Sequence, residues 1–288
     1  MCLAINIVFW YLLNYLAYFL RRSPYLLEYD RRTFVELINL NSIILFNRKT
    51  NLSTYWWKLK KRIRGYREKS GNNLITEIDI NRIFRIVENN IGIDKSINRL
   101  RVLIQLYEDG YICWVNLNDL VFEEFNIFAE DLYVRDEEYI QNQIPLILTW
   151  IKKQSRIPHK YLWGGTVGPD YDCSGLIQSA FLKHNIFLPR DSFQMKKFCK
   201  HLFSFPGKIQ NLKMGDLLFF GVKGKCNHVA IYFQDGLYFH CSGKHSGRDG
   251  IALDSLIDKK DFISLKYFSE LISAGRVTRS YKWNQTIR

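Results

Sequence analysis

Asp172-Cys173-Ser174-Gly175-Leu176 lies between a breaker-rich loop and an amphipathic run, and its reading decides the fold. Upstream, Tyr161-Leu162-Trp163-Gly164-Gly165-Thr166-Val167-Gly168-Pro169 predicts a loop, since glycine and proline interrupt any regular element there. Downstream, Leu176, Ile177, Ala180 and Phe181 fall at helical spacing, with Asn185 near a C-cap. Cys173 is thereby expected in the first turn of a helix, where unpaired N–H groups and the helix dipole favour a thiolate. A lone cysteine is more often a buried, inert residue. Here basic partners follow it in order, which favours a nucleophile.

Amide hydrolysis by a thiol needs a thiolate, an imidazole to carry the proton to the leaving amine, and a polar group to orient that imidazole. Cys173, His228 and His240 fit these roles. His228 opens a strand after a loop holding Gly224 and Asn227, which places its ring at a sheet edge. His159, His184, His201 and His245 sit in loops or at element ends, with no geometric reason to meet Cys173. Cys226-x-His228 and His240-Cys241 offer four ligand atoms to zinc, but neighbours on a strand point to opposite faces and no CxxC knuckle is present. No metal and no cofactor is expected.

The hairpin between the two histidines carries its own test. A two-residue Asp235-Gly236 loop would turn His240 to the face away from His228. A three-residue loop, Gln234-Asp235-Gly236, pairs Phe233 with Leu237 and sets His240 opposite Ala230, on the face of His228. The three-residue loop is predicted, as a type I turn with a bulge and Gly236 left-handed.

The 288 residues suffice for one large or two modest domains, and 47% hydrophobic content argues against disorder. The net charge of +13 is unevenly spread: residues 1–70 hold 13 Lys and Arg against 4 Asp and Glu, leaving 28 against 24 for the remainder. The basicity thus belongs to the leader, and no nucleic-acid signature accompanies it. Residues 1–20 are uncharged and end at Arg21-Arg22, long enough to span a bilayer but equally readable as an extension outside the fold. The basic stretch Trp56 to Lys69 reads as a solvated face or juxtamembrane patch. Six cysteines with no paired framework point to a reducing compartment. The expected location is cytoplasmic, or anchored to an inner membrane through residues 1–20 with the catalytic part facing the cytoplasm.

Short alternating runs begin near Gly71. Arg101–Tyr107 and Tyr111–Val115 flank Glu108-Asp109-Gly110 as a predicted hairpin, within an expected small all-β barrel over residues 71–125. Residues 126–145 read as a linker ending at Pro145. From residue 146 a helix, the Cys173 helix, a short helix after Leu188-Pro189-Arg190-Asp191-Ser192, and then strands near 216–220, 228–233, 237–240 and 275–279 give an α+β unit running to 288.

In order, Tyr-Leu-Trp-Gly-Gly, Asp-Cys-Ser-Gly-Leu, Leu-Pro-Arg-Asp-Ser, Gly-Asp-Leu-x-Phe-Phe, His-Val-x-Ile-Tyr and Tyr-x-His-x-Ser closely resemble the motifs of the NlpC/P60 cysteine peptidases. The resemblance implies a papain-like domain, with helices packed on an antiparallel sheet. An SH3-like barrel in front makes the chain similar to γ-D-glutamyl-diamino acid endopeptidases that act on murein peptides. It implies Cys173 as nucleophile, His228 as base and His240 as orienting residue. Asp172, Ser174 and Ser192 match positions that hold the free N-terminal amine and D-glutamate of the substrate, and Trp163 one that walls the cleft. Tyr111, with Tyr107 as the alternative, matches an SH3-domain tyrosine that closes the pocket. Such an enzyme would cut the γ-D-glutamyl–diaminopimelate or –lysine bond in peptide recycling. An amidase or acyltransferase on another amide, or a non-catalytic cell-wall binding protein, are the competing readings.

Overall fold

The computed structural model describes residues 56–94, 99–125, 135–204, 209–258 and 260–282. The apolar leader 1–20, the run Leu37 to Phe46 and residues 126–134 of the expected linker lie outside the described residues.

Seven antiparallel strands form the front unit: β1 Trp56–Leu59, β2 Ile63–Tyr66, β3 Leu74–Ile78, β4 Ile83–Asp94, β5 Arg99–Leu106, β6 Ile112–Asn116 and β7 Phe122–Phe125. Their order across the sheet is β3-β2-β6-β5-β4-β1-β7. Leu59, Ile63, Ile78, Phe84, Ile104 and Val115, from six of these strands, share one core, so the sheet curls around its own apolar side. The described sheet includes residues 56–66, upstream of the expected start at residue 71. The basic stretch supplies two strands, because its cations alternate with inward residues: in β2 Ile63 and Gly65 are buried while Arg64 is exposed.

The second unit opens with helix α1, Glu137–Gln154, whose Asp136 accepts from Tyr139 N–H at 2.9 Å as an N-cap. The linker is thus shorter than expected, since Pro145 lies inside this helix instead of before it. Glu137 and Glu138 lie in its first turn, where the helix dipole favours them. Ile140, Ile144, Ile147, Leu148 and Ile151 form its buried stripe. Helices α2, Cys173–Leu182, and α3, Ser192–Phe198, follow.

Strands β8 Lys200–Ser204, β9 Leu217–Val222, β10 Lys225–Tyr232, β11 Leu237–Ser242, β12 Gly250–Ser255 and β13 Leu271–Arg276 form an antiparallel sheet in the order β12-β11-β10-β9-β13-β8. Helix α4, Phe262–Glu270, precedes β13. Alternation divides this sheet cleanly. Leu217, Phe219, Val229, Ile231 and Phe239 pack with α1 and α2, whereas Leu218, Phe220, Ala230 and Tyr238 pack with Tyr267 of α4. The whole is α+β with antiparallel sheets. Among the described residues no helix is long and apolar enough to cross a membrane.

Ala230 pairs with His240, Ile231 with Phe239 and Tyr232 with Tyr238, which is the register of the three-residue connection. Phe233 N–H donates to Leu237 O at 2.8 Å. The turn inside differs from the expected type I form. Leu237 N–H donates to Gln234 O at 2.7 Å, and Asp235 and Gly236 both have positive φ, 51° and 80°. Asp-Gly thus makes the mirror-image turn it favours, and Gln234 is the extra residue that shifts the register.

Candidate active site

Cys173 is the first residue of α2, and Asp172 caps that helix by accepting from Gly175 N–H at 2.6 Å. Gly175 is required by packing, since a Cβ there would lie 2.0 Å from the carbonyl oxygen of Gly165. The catalytic helix can seat against the Trp-Gly-Gly loop only because this residue has no side chain. Gly164, at φ +82°, brings the same loop against β3, where its carbonyl accepts from Glu77 N–H at 2.9 Å.

The Cys173 thiol is buried, and its pKa is pushed up to about 12, first by burial and then by the Asp172 carboxylate. The backbone N–H groups of Val229 and Ser174 and the Arg190 guanidinium act in the opposite direction. The helix terminus alone therefore does not leave a resting thiolate. His228 lies on β10 beside Val229, and burial, with His240 and Lys266 behind it, lowers its pKa well below 6.5. Burial thus favours the neutral form of both groups.

His228 Nε2 and His240 Nδ1 are 2.9 Å apart, and the rings meet edge to face at 5.1 Å. His240 is fully buried, and its Nε2 lies 2.9 Å from Asp254 Oδ2 on β12. Arg248 holds Asp254 through Nε at 2.9 and 3.1 Å. The Tyr267 ring stacks 4.9 Å from His228 and stands edge-on 4.7 Å from His240. Neither Asp254 nor Tyr267 was singled out in the sequence. The strand bearing one and the helix bearing the other both went unread, although Gly250-Ile251-Ala252-Leu253 carries a short apolar run that marks a strand.

The remaining predicted residues separate into two groups. Asp172 is occupied by the chain's own donors: Arg190 reaches Oδ1 at 3.1 Å and Oδ2 at 2.5 Å, Gly164 N–H reaches Oδ2 at 2.9 Å, and Ser174 Oγ lies 3.2 Å from Oδ1. Ser174 Oγ in turn accepts from Arg190 at 2.9 Å. Ser192 begins α3 and is buried beside the Cys226 sulfur. Trp163 is 60% exposed on its loop. Tyr111 reaches across from the front unit, its hydroxyl 3.4 Å from Asp191 Oδ1. Tyr107 packs instead on Trp56, ring centroids 5.1 Å apart, and lines a cavity of about 680 Å³ with Trp150, Tyr171 and Phe187. None of Cys173, His228 and His240 lines that cavity. His159 serves the sheet, with Nε2 accepting from Ile251 N–H at 2.7 Å. Among the described residues no cluster of three or more His, Cys, Asp and Glu is placed to hold a metal ion.

Residues 158–263, which include Cys173, His228, His240 and Asp254, match the NlpC/P60 family model. The chain carries an NlpC/P60 domain. It is 32% identical over 114 residues to the gamma-D-glutamyl-L-lysine dipeptidyl-peptidase of Bacillus subtilis, covering 38% of this chain and 37% of that one. The enzyme of the same name from Bacillus cereus is 36% identical over 83 residues, covering 28% of this chain and 23% of that one. The chain thus spans well under half the length of these relatives. An NlpC/P60 family lipoprotein-like structure from Staphylococcus aureus aligns with 50% of this chain and 43% of its own, at 26% identity and a TM-score of 0.37. Within the NlpC/P60 domain, Gly164 and Gly175 are the close-contact glycines of the loop and helix around Cys173.

Proposed function

We propose that the protein is a cysteine peptidase that hydrolyses the γ-D-glutamyl–diamino acid bond of short murein peptides bearing a free N-terminal L-alanine. The family is one of peptidoglycan hydrolases and endopeptidases. The observation that carries the reading is Cys173 at the start of α2, with the Val229 backbone against its sulfur and the adjacent His228 2.9 Å from His240. Cys173 sulfur attacks the γ-carbonyl carbon while His228 takes its proton. His228 then returns that proton to the diamino acid nitrogen as the amide C–N bond breaks. Water, deprotonated by the same imidazole, releases the dipeptide from the thioester.

The restriction to a free amine is supported by Asp191. Asp172 is saturated by Arg190 and backbone donors, whereas Asp191 faces Tyr111 across the unit boundary. Burial raises the Asp191 carboxyl pKa, against the pull of Arg190. In this reading the front unit is an SH3-like lid and Tyr111 is its contact with the substrate's amino end. Such a lid admits free peptides and rejects glycan-linked chains, which fits recycling in the cytoplasm. The test uses the full chain, because a fragment beginning at 71 would lack β1 and β2. Hydrolysis of L-Ala-γ-D-Glu-diaminopimelate is expected, with Cys173→Ala inactive and N-acetylated substrate or intact wall turned over far more slowly. Equal rates on blocked and free peptides would overturn the free-amine requirement.

A further inference from the structure

We propose that Asp254 is a positioning residue of this site, fixing through His240 which nitrogen of His228 carries its proton. The inference rests on the assignment of Cys173 and His228 as nucleophile and base, but not on any substrate.

The argument runs along two hydrogen bonds. Asp254 is buried and ionised, so its Oδ2, 2.9 Å from His240 Nε2, can only accept. His240 Nε2 must then carry a proton. A neutral imidazole has one N–H, so His240 Nδ1 is a lone pair. His228 Nε2, 2.9 Å from it, must donate. The proton of neutral His228 is thereby fixed on Nε2, leaving the Nδ1 lone pair free to take the thiol proton. Without the carboxylate, His240 can hold its proton on Nδ1. His228 would then accept at Nε2 and present an N–H to the thiol, which is the wrong form for a base.

The carboxylate also has an electrostatic role. Proton transfer from Cys173 creates an imidazolium in a dry site, and Asp254 is the anion hydrogen-bonded to that pair. The titratable and charged groups around it are Cys173 on α2, Tyr238 on β11, Tyr267 and Lys266 on α4, and Arg248 before β12. Burial raises the Asp254 pKa, but the bonds to His240 and Arg248 outweigh it and keep the carboxyl ionised. Arg248 is itself tied to Asp261 at 2.6 Å, which fixes the guanidinium behind the carboxylate. Strand pairing sets the geometry: Asp254 lies opposite Tyr238 on β11, two residues along from the partner of His240.

Two measurements test this on the full chain. Nitrogen-15 spectra of histidine-labelled protein at neutral pH read the tautomers directly, with no substitution. Nε2–H is expected for both His228 and His240, and an Nδ1–H form of His240 overturns the proposal. Alkylation of Cys173 by iodoacetamide, followed by mass spectrometry across pH, needs no substrate. Asp254→Asn should slow it at neutral pH by about tenfold, from the loss of one nearby opposite charge, and move its acid limb to lower pH. As the pH approaches about 12, where the thiol ionises unaided, the variant and the parent should converge. A purely structural lesion would change the rate without moving the limb. A variant whose profile superimposes on the parent's shows that Asp254 does not act on His228.

Discussion

Arg190 and Asp172 form a bidentate pair under the catalytic helix, and both are buried. Such a pair adds little net stability over apolar packing, but breaking it strands a charge without water. Arg190→Gln should therefore lower unfolding free energy by about 3–5 kcal/mol in urea titrations. The double variant with Asp172→Asn should recover part of that loss, and an additive double variant would show the pair to be uncoupled. His228 gives a second expectation. Its folded pKa is depressed below 6.5, first by burial, so the unfolded chain binds the proton more tightly. Its contribution to stability is intact above 6.5 and drains away as pH falls below it. The same shift keeps the base unprotonated in mild acid. The acid limb of kcat/KM should accordingly lie below pH 6.5, and a limb above that value would contradict the buried neutral imidazole.

At the scale of elements, one substitution separates packing from helix propensity. Alanine is the better helix former, yet Gly175→Ala would drive a methyl into the Gly165 carbonyl. Loss of several kcal/mol and of Cys173 reactivity together is expected, read by thermal melting and alkylation. Cys173, His228 and His240 were legible as candidates because local chemistry marks them: a breaker loop before Cys173 and a countable hairpin between His228 and His240. The register followed from face parity, while the turn geometry did not, because Asp-Gly enforced its own turn and displaced the bulge to Gln234. β1 and β2 were hidden because Lys and Arg occupy their outward positions. The start of α1 was hidden because Pro145 reads as a boundary. Asp254 was invisible for a different reason, since its meaning depends on β12 lying beside β11, a pairing no local pattern announces.

For the whole molecule, the front unit is fastened to the catalytic one by polar groups. Gln178 on α2 donates to Asp109 Oδ2 at 2.8 Å, and Arg82 reaches the same oxygen at 3.0 Å. Asp109 Oδ1 accepts from Tyr111 N–H at 2.9 Å. The turn that presents Tyr111 is thus pinned to the helix that presents Cys173. Gln178→Leu should raise KM for a free-amine peptide by about tenfold, the loss of one buried hydrogen bond, with kcat less affected. An unchanged KM would mean that the turn holds its place without the clamp. Elsewhere Thr166 Oγ1 donates to Glu77 O, and Arg190 reaches Thr76 Oγ1 at 3.3 Å.

The order of elements along the polypeptide gives the Asp254 contact a meaning in time. Cys173 is translated before the strand that carries Asp254, and the helix that stacks on both histidine rings follows that strand. A nascent chain still on the ribosome carries the thiol without its switch. The Cys173 site is therefore complete only once β12 and α4 have joined the chain.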